Sequence, residues 1–192
     1  SWRPKKDYRD SVSAKRELGG GVLLELSHEI DYLRWIFGEV DWVRATLLRQ
    51  SELEIDVEDT VHLTLGFENR TPDRQLIASL NMDFIRHDAT RSCTVIGDRG
   101  SLCWDGILGE VSLFQAEKKS WETLFNNDNG IEETYILEWQ ELVRAIEKNM
   151  SPAVTGEDGL RVVEIIEAAR LSAESGIQTA VIRSPIKNEV SK

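Results

Sequence analysis

The sequence holds little of what compact chemical sites are usually built from: three histidines, two cysteines and two methionines in 192 residues. His28, His62 and His87 are scattered, and no pair has the i, i+4 or C-x-x-C spacing that makes a zinc site. No metal is therefore expected. Cys93 and Cys103 flank a turn at Gly97–Gly100 and could approach each other across a hairpin. Two thiols in a chain of this size, however, signal a reducing compartment, so a cytoplasmic location is expected. Basic charge is also scarce, with 23 Lys and Arg against 34 Asp and Glu and a formal net charge of −11. That balance argues against binding a nucleic-acid backbone or an anionic membrane surface. The longest apolar runs, such as VLL at 22–24, are far too short to cross a bilayer. A G-x-S-x-G elbow, a G-x-G-x-x-G fingerprint and a Walker loop are all missing. The opening SWRPKKDYRD has neither an initiator methionine nor an apolar signal core. It raises the expectation of a segment cut from a longer chain.

What is present reads as one domain. The composition is 41% hydrophobic and 30% charged, ordinary for a globular protein. A chain this long buries roughly 70% of its unfolded surface. Residues 1–21 read as a polar arm with a short helix around 12–18 and a triple glycine at 19–21. Leu26, Ile30, Leu33 and Phe37 then fall on one helical stripe, with Ser27 as expected N-cap and Gly38 as stop. Six strands are expected at 40–50, 59–67, 75–86, 91–96, 101–104 and 110–114, with hairpin connections at 68–74 and 97–100. Strands that follow one another without intervening helices make an antiparallel sheet.

Helical spacing returns late in the chain. Ile136, Trp139, Val143 and Ile146 mark one helix. Thr155 and Asp158 open another with a capping box, Leu160, Val163, Ile166, Ala169 and Ala173 form its expected buried face, and Gly176 ends it. A last strand is expected at 180–183. The class is α+β, a sheet layered with helices.

The stretch GGGVLLELSHEIDYLRWIFG at 19–38 carries the chemistry. If Leu26, Ile30, Leu33 and Phe37 face the core, His28, Asp31 and Trp35 lie on the other side, since two helical positions span about 200°. His28 and Asp31 are i, i+3 neighbours there, so a carboxylate can orient the imidazole, and Glu25 sits just ahead of them. Such residues on an amphipathic helix are ordinarily plain solvated surface. An aromatic ring sharing the face, and glycines leading into it, argue for a ligand nearby, although the glycines equally suit a turn.

Four blocks resemble the C-terminal half of Gfo/Idh/MocA-family oxidoreductases: WRPKKDYR at 2–9, the stretch 19–38, TVIGDRGSLCWD at 94–105 and PAVTGEDGLRVVEIIEAARLSAESG at 152–176. The resemblance implies that residues 1–192 are a substrate-binding and oligomerisation domain. Its fold would be a large, mainly antiparallel sheet with helices on one face, of the glyceraldehyde-3-phosphate-dehydrogenase C-terminal type. A Rossmann domain that binds NAD or NADP and carries a catalytic lysine would lie outside this sequence. The implied activity is oxidation or reduction of a sugar, nucleotide-sugar or polyol, with the isolated chain inactive. A non-catalytic dimerisation or carbohydrate-sensing module of the same fold is the alternative.

Carried over by residue, His28 matches the family histidine that faces the nicotinamide and the reacting carbinol, and Asp31 matches the aspartate one turn later. The acid that precedes the histidine corresponds to Glu25 counted from the glycines and to Leu24 counted back from His28, because ELSH is one residue short. Glu25 is thus the second catalytic candidate. Tyr8, Arg9 and Trp35 join Asp31 as substrate-binding candidates. Tyr8 and Arg9 belong, with Trp2 and Arg3, to an upstream segment that can reach the cleft. Implied partners are the Rossmann domain, a small sugar or polyol, and further copies of the chain through the sheet.

Overall fold

The computed structural model describes residues 7–68, 71, 73–127 and 131–185. Trp2 and Arg3 lie outside these residues, as does part of the 68–74 connection. Two compact units result: one from the stretches ending at His87 and beginning at Val154, the other from Asp88–Ala153.

In the first unit three 3-10 turns, Tyr8–Asp10, Val12–Ala14 and Arg16–Leu18, precede the glycines. Helix α1 (Val22–Glu25) runs almost without interruption into α2 (His28–Phe37). Ser27 is not a cap: its backbone is helical and its side chain makes no capping bond. Its carbonyl accepts the N–H groups of Ile30 and Asp31, so the turn between the helices stays helix-like. Gly38 does end α2, at φ +101°, with its N–H donating to the Arg34 carbonyl.

Strands β1 (Val40–Leu48), β2 (Thr60–Phe67), β3 (Ile77–Asp83) and β8 (Thr179–Ala180) form an antiparallel sheet in the order β3-β2-β1-β8. Val61, Leu63, Leu65 and Phe67 of β2 are buried, together with Val22, Leu23, Ile30 and Leu33 of the first two helices. Phe37 packs edge-on to Phe67 at 5.8 Å. Burying each such side chain contributes roughly 1.5–3 kcal/mol.

Helix α4 (Gly156–Ser175) covers β1. The expected capping box is there: Asp158 N–H donates to Thr155 Oγ1, and Thr155 N–H donates to Asp158 Oδ2. Its buried face is rotated from the expected one. Val162, Ile165, Ile166, Ala169 and Ser172 are buried, whereas Leu160 and Val163 are exposed. Ser172 fixes the contact with β1, since its hydroxyl accepts from Ala45 N–H at 3.0 Å and donates to the Ile177 carbonyl at 2.6 Å. Arg34 ties α2 to the start of α4 by pairing with Glu39 and Asp158, both at 2.9 Å.

The second unit holds β4 (Ser92–Gly97), β5 (Gly100–Asp105), β6 (Glu110–Gln115) and β7 (Ser120–Asn126) as a four-stranded antiparallel meander, followed by α3 (Ile131–Glu147). Strand β7 was not expected from the sequence. The α+β architecture with antiparallel strands is thus present, its strands shared between two sheets. Cys103 pairs with Thr94 and Cys93 with Trp104, so the two thiols point to opposite faces. Both cysteines are free.

Candidate functional site around His28

The triple glycine has a structural reason. A Cβ on Gly20 would meet the carbonyl oxygens of Val12, Ser13 and Lys15 at 2.5–2.8 Å. Gly21 has φ +109°, and a Cβ there would lie 2.4–2.7 Å from the Glu58 carboxylate. Only glycine lets the chain pass between these groups. The space beside Gly20 and Gly21 is therefore taken by this chain's own oxygens.

His28 opens α2 with its side chain 53% exposed. Its Nε2 lies 3.2 Å from Glu29 Oε1, and the Glu29 side chain is largely buried. The carboxylate beside the imidazole is therefore that of Glu29, one residue on, and not that of Asp31. Asp31, half-buried on the next turn, makes no hydrogen bond or ion pair to His28. Glu25 Oε2 accepts from the Ser13 hydroxyl at 2.6 Å, with Ser13 only 2% exposed. Trp35, on the outward side of α2, is 81% exposed.

Tyr8 and Arg9 pin the N-terminal arm onto the loop 49–59. Glu54 N–H donates to the Tyr8 hydroxyl at 3.2 Å. The Arg9 guanidinium bonds Asp7 at 2.6–3.1 Å and Glu54 at 3.1 Å. Hydrogen bonding from the Arg9 side chain and main chain lowers the Asp7 carboxyl to about 2. Neither Tyr8 nor Arg9 bonds to His28 or Asp31. The structure thus brings Glu29 to His28 and Ser13 to Glu25, two partners that the sequence had not suggested.

Below the loop, Asp59 is buried and accepts from Gln50 N–H, Ser51 N–H, the Ser51 hydroxyl and the Thr60 hydroxyl at 2.5–3.0 Å. Burial alone would raise its pKa; these four donors outweigh it and hold the pKa below the usual carboxylate value. His62 and His87 are exposed, on β2 and just beyond β3. Among the described residues no three His, Cys, Asp or Glu side chains gather to hold a metal ion, and no helix is long and apolar enough to cross a membrane.

Residues 1–181 match the oxidoreductase-family C-terminal alpha/beta domain of the Gfo/Idh/MocA type. The chain belongs to the Gfo/Idh/MocA oxidoreductase family. Its fold is similar to that of levoglucosan dehydrogenase in complex with NADH and levoglucosan, with a TM-score of 0.81 at 22% identity over 91% of this chain and 54% of that one. It is also similar to the WlbA dehydrogenase from Bordetella pertussis in complex with NADH and UDP-GlcNAcA, with a TM-score of 0.70 at 21% identity over 95% and 52%. An oxidoreductase from Thermotoga maritima matches with a TM-score of 0.70 at 25% identity over 88% and 50%. The chain therefore spans about half the length of these proteins. No curated protein matches its sequence.

Proposed function

We propose that this chain is the C-terminal, substrate-side domain of an NAD(P)-dependent dehydrogenase that acts on a hydroxyl or carbonyl of a sugar, nucleotide-sugar or polyol. One observation carries the reading: a half-exposed imidazole, with a carboxylate 3.2 Å away, stands at the head of α2 in a fold shared with sugar dehydrogenases.

The nicotinamide, when bound, supplies the hydride chemistry. This chain does not suit the phosphates of a dinucleotide. At Gly20 and Gly21 the glycine-rich turn meets three backbone carbonyls and the Glu58 carboxylate, which repel anions. Dinucleotide binding accordingly falls to a Rossmann domain outside this sequence. What fits here is the reacting end. The imidazole can accept a hydroxyl proton as a carbonyl forms and return it in the reverse direction, with the Glu29 carboxylate 3.2 Å from Nε2 to stabilise the imidazolium that results. In the same reading Asp31, Trp35, Tyr8 and Arg9 line the sugar side, Glu25 assists His28, and Ser13 sets the carboxylate of Glu25.

Self-association through the second sheet belongs to this proposal. Ile96 and Trp121 are exposed on the face that carries Ser101 and Phe114, and a second copy of the chain would cover them. The free thiols accord with a cytoplasmic protein.

The test follows nicotinamide absorbance while the whole enzyme is offered sugars, nucleotide-sugars and polyols with NAD and with NADP. Turnover on one of these classes is expected, with none from residues 1–192 alone. Binding of a sugar without nicotinamide turnover would point instead to a sensing or dimerisation module. Turnover by the isolated chain would overturn the division of labour.

A further inference from the structure

We propose that Glu58 is a positioning residue for His28, acting through α1; its catalytic significance rests on the dehydrogenase reading above. Glu58 meets two successive main-chain donors of α1. Its carbonyl accepts from Val22 N–H at 3.3 Å and its Oε1 accepts from Leu23 N–H at 3.0 Å. The same carboxylate lies against Gly21, where a Cβ would come within 2.4–2.7 Å of it.

Glu58 is itself held firmly. The next residue is the buried Asp59 with its four donors. The Asp59 backbone also bonds Leu48 and Phe84, at the ends of β1 and β3. The first turn of α1 is thereby referenced to the sheet.

From that turn the chain reaches His28 without glycine or proline. The hydrogen bonds Glu25 N–H to Gly21, Leu26 N–H to Val22 and Ser27 N–H to Leu24 connect them, and Ile30 N–H to Ser27 continues into α2. Motion at Gly21 is therefore transmitted rather than absorbed. Over roughly 8 Å of helix, a tilt of about 10° displaces the ring by about 1 Å. That is the scale of misplacement at which catalytic geometry is lost. The Ser13 to Glu25 bond holds the far end of the same turn.

The chain's three histidines make a direct test available. In Glu58→Ala, the His28 ring resonance in a ¹H–¹³C spectrum of this chain is expected to move by more than its linewidth and further than those of His62 and His87. Glu58→Gln, whose amide oxygen still accepts from Leu23 N–H, is expected to keep His28 at its original position. An unmoved His28 in folded Glu58→Ala overturns the proposal, and so does an equal displacement in Glu58→Gln. Should Glu58→Ala fail to fold, Glu58→Asp, which keeps the charge but is one methylene short, is judged by the same displacement. A residue that only added stability would lower the melting temperature and leave the folded-state resonance in place. Since the readout is the environment of the ring and not turnover, failure of the dehydrogenase reading appears separately, as unchanged turnover in His28→Ala.

Discussion

Strand β2 of the first sheet buries Val61, Leu63, Leu65 and Phe67, whereas no residue in any strand of the second sheet is buried. Both sheets have four antiparallel strands, and both carry β-branched and aromatic residues. They differ in cover. Helix α4 lies along β1, while Ala145 is the one buried residue among the described residues of Asp88–Ala153. Alternating sequence makes a strand, but only a second layer turns one of its faces into a core. The first unit has that layer from its own helices. The second presents Ile96, Trp121 and Phe125 outward, which is the physical basis for the proposed contact with another copy.

Paired truncations test this contrast most strongly. Phe67→Ala, at a position 1% exposed, is expected to cost about 3–5 kcal/mol in urea unfolding. Trp121→Ala, at a position 54% exposed, is expected to stay within about 0.5 kcal/mol at concentrations where the chain is monomeric. A comparable cost at both positions would mean that the second sheet is covered after all. Ser172→Ala comes next. It leaves the buried Ala45 N–H without an acceptor and should cost about 1–3 kcal/mol by the same measurement.

The smallest effect is in acid. Hydrogen bonds from the Thr155 side chain and backbone, with a contribution from Arg34, lower the Asp158 carboxyl from 3.8 to about 2. A depressed folded pKa contributes stability that is full above about 4 and lost as pH falls through 2. After allowance for solvent, about 1 kcal/mol is expected to disappear across that window in the wild type. Asp158→Asn should show a correspondingly flatter acid limb, with Asp59 adding acid sensitivity of the same sign to both proteins.

Local rules were legible in the sequence wherever the cause is local. Gly38, Gly176 and the Thr155–Asp158 box end or begin helices where expected, because a positive φ or a capping bond depends on neighbours in the chain. The buried face of α4 was misplaced because Leu160 and Val163 are as apolar as Val162 and Ile165, and periodicity alone cannot choose between overlapping stripes. On α3, Ile136, Trp139 and Ile146 recur at helical spacing yet are exposed, since a pattern names a face and not its partner. Strand β7 was unread because SWETLFN mixes Glu122 and Leu124 on the positions between its aromatic residues.

At the candidate site, His28 is singled out by its scarcity and its place at the head of a helix. Its partner was not found, because i, i+1 side chains do not normally face each other on a helix and Glu29 reaches back from the first turn. The Ser13–Glu25 and Glu58–Leu23 bonds join residues 12 and 35 apart, which no local pattern encodes.

One ring carries the proposed chemistry. Steady-state turnover of the whole enzyme carrying His28→Ala, with dinucleotide affinity measured alongside, addresses it directly. A fall in kcat of about 10²–10⁴-fold with nucleotide binding retained is the predicted result. An unchanged kcat would contradict it.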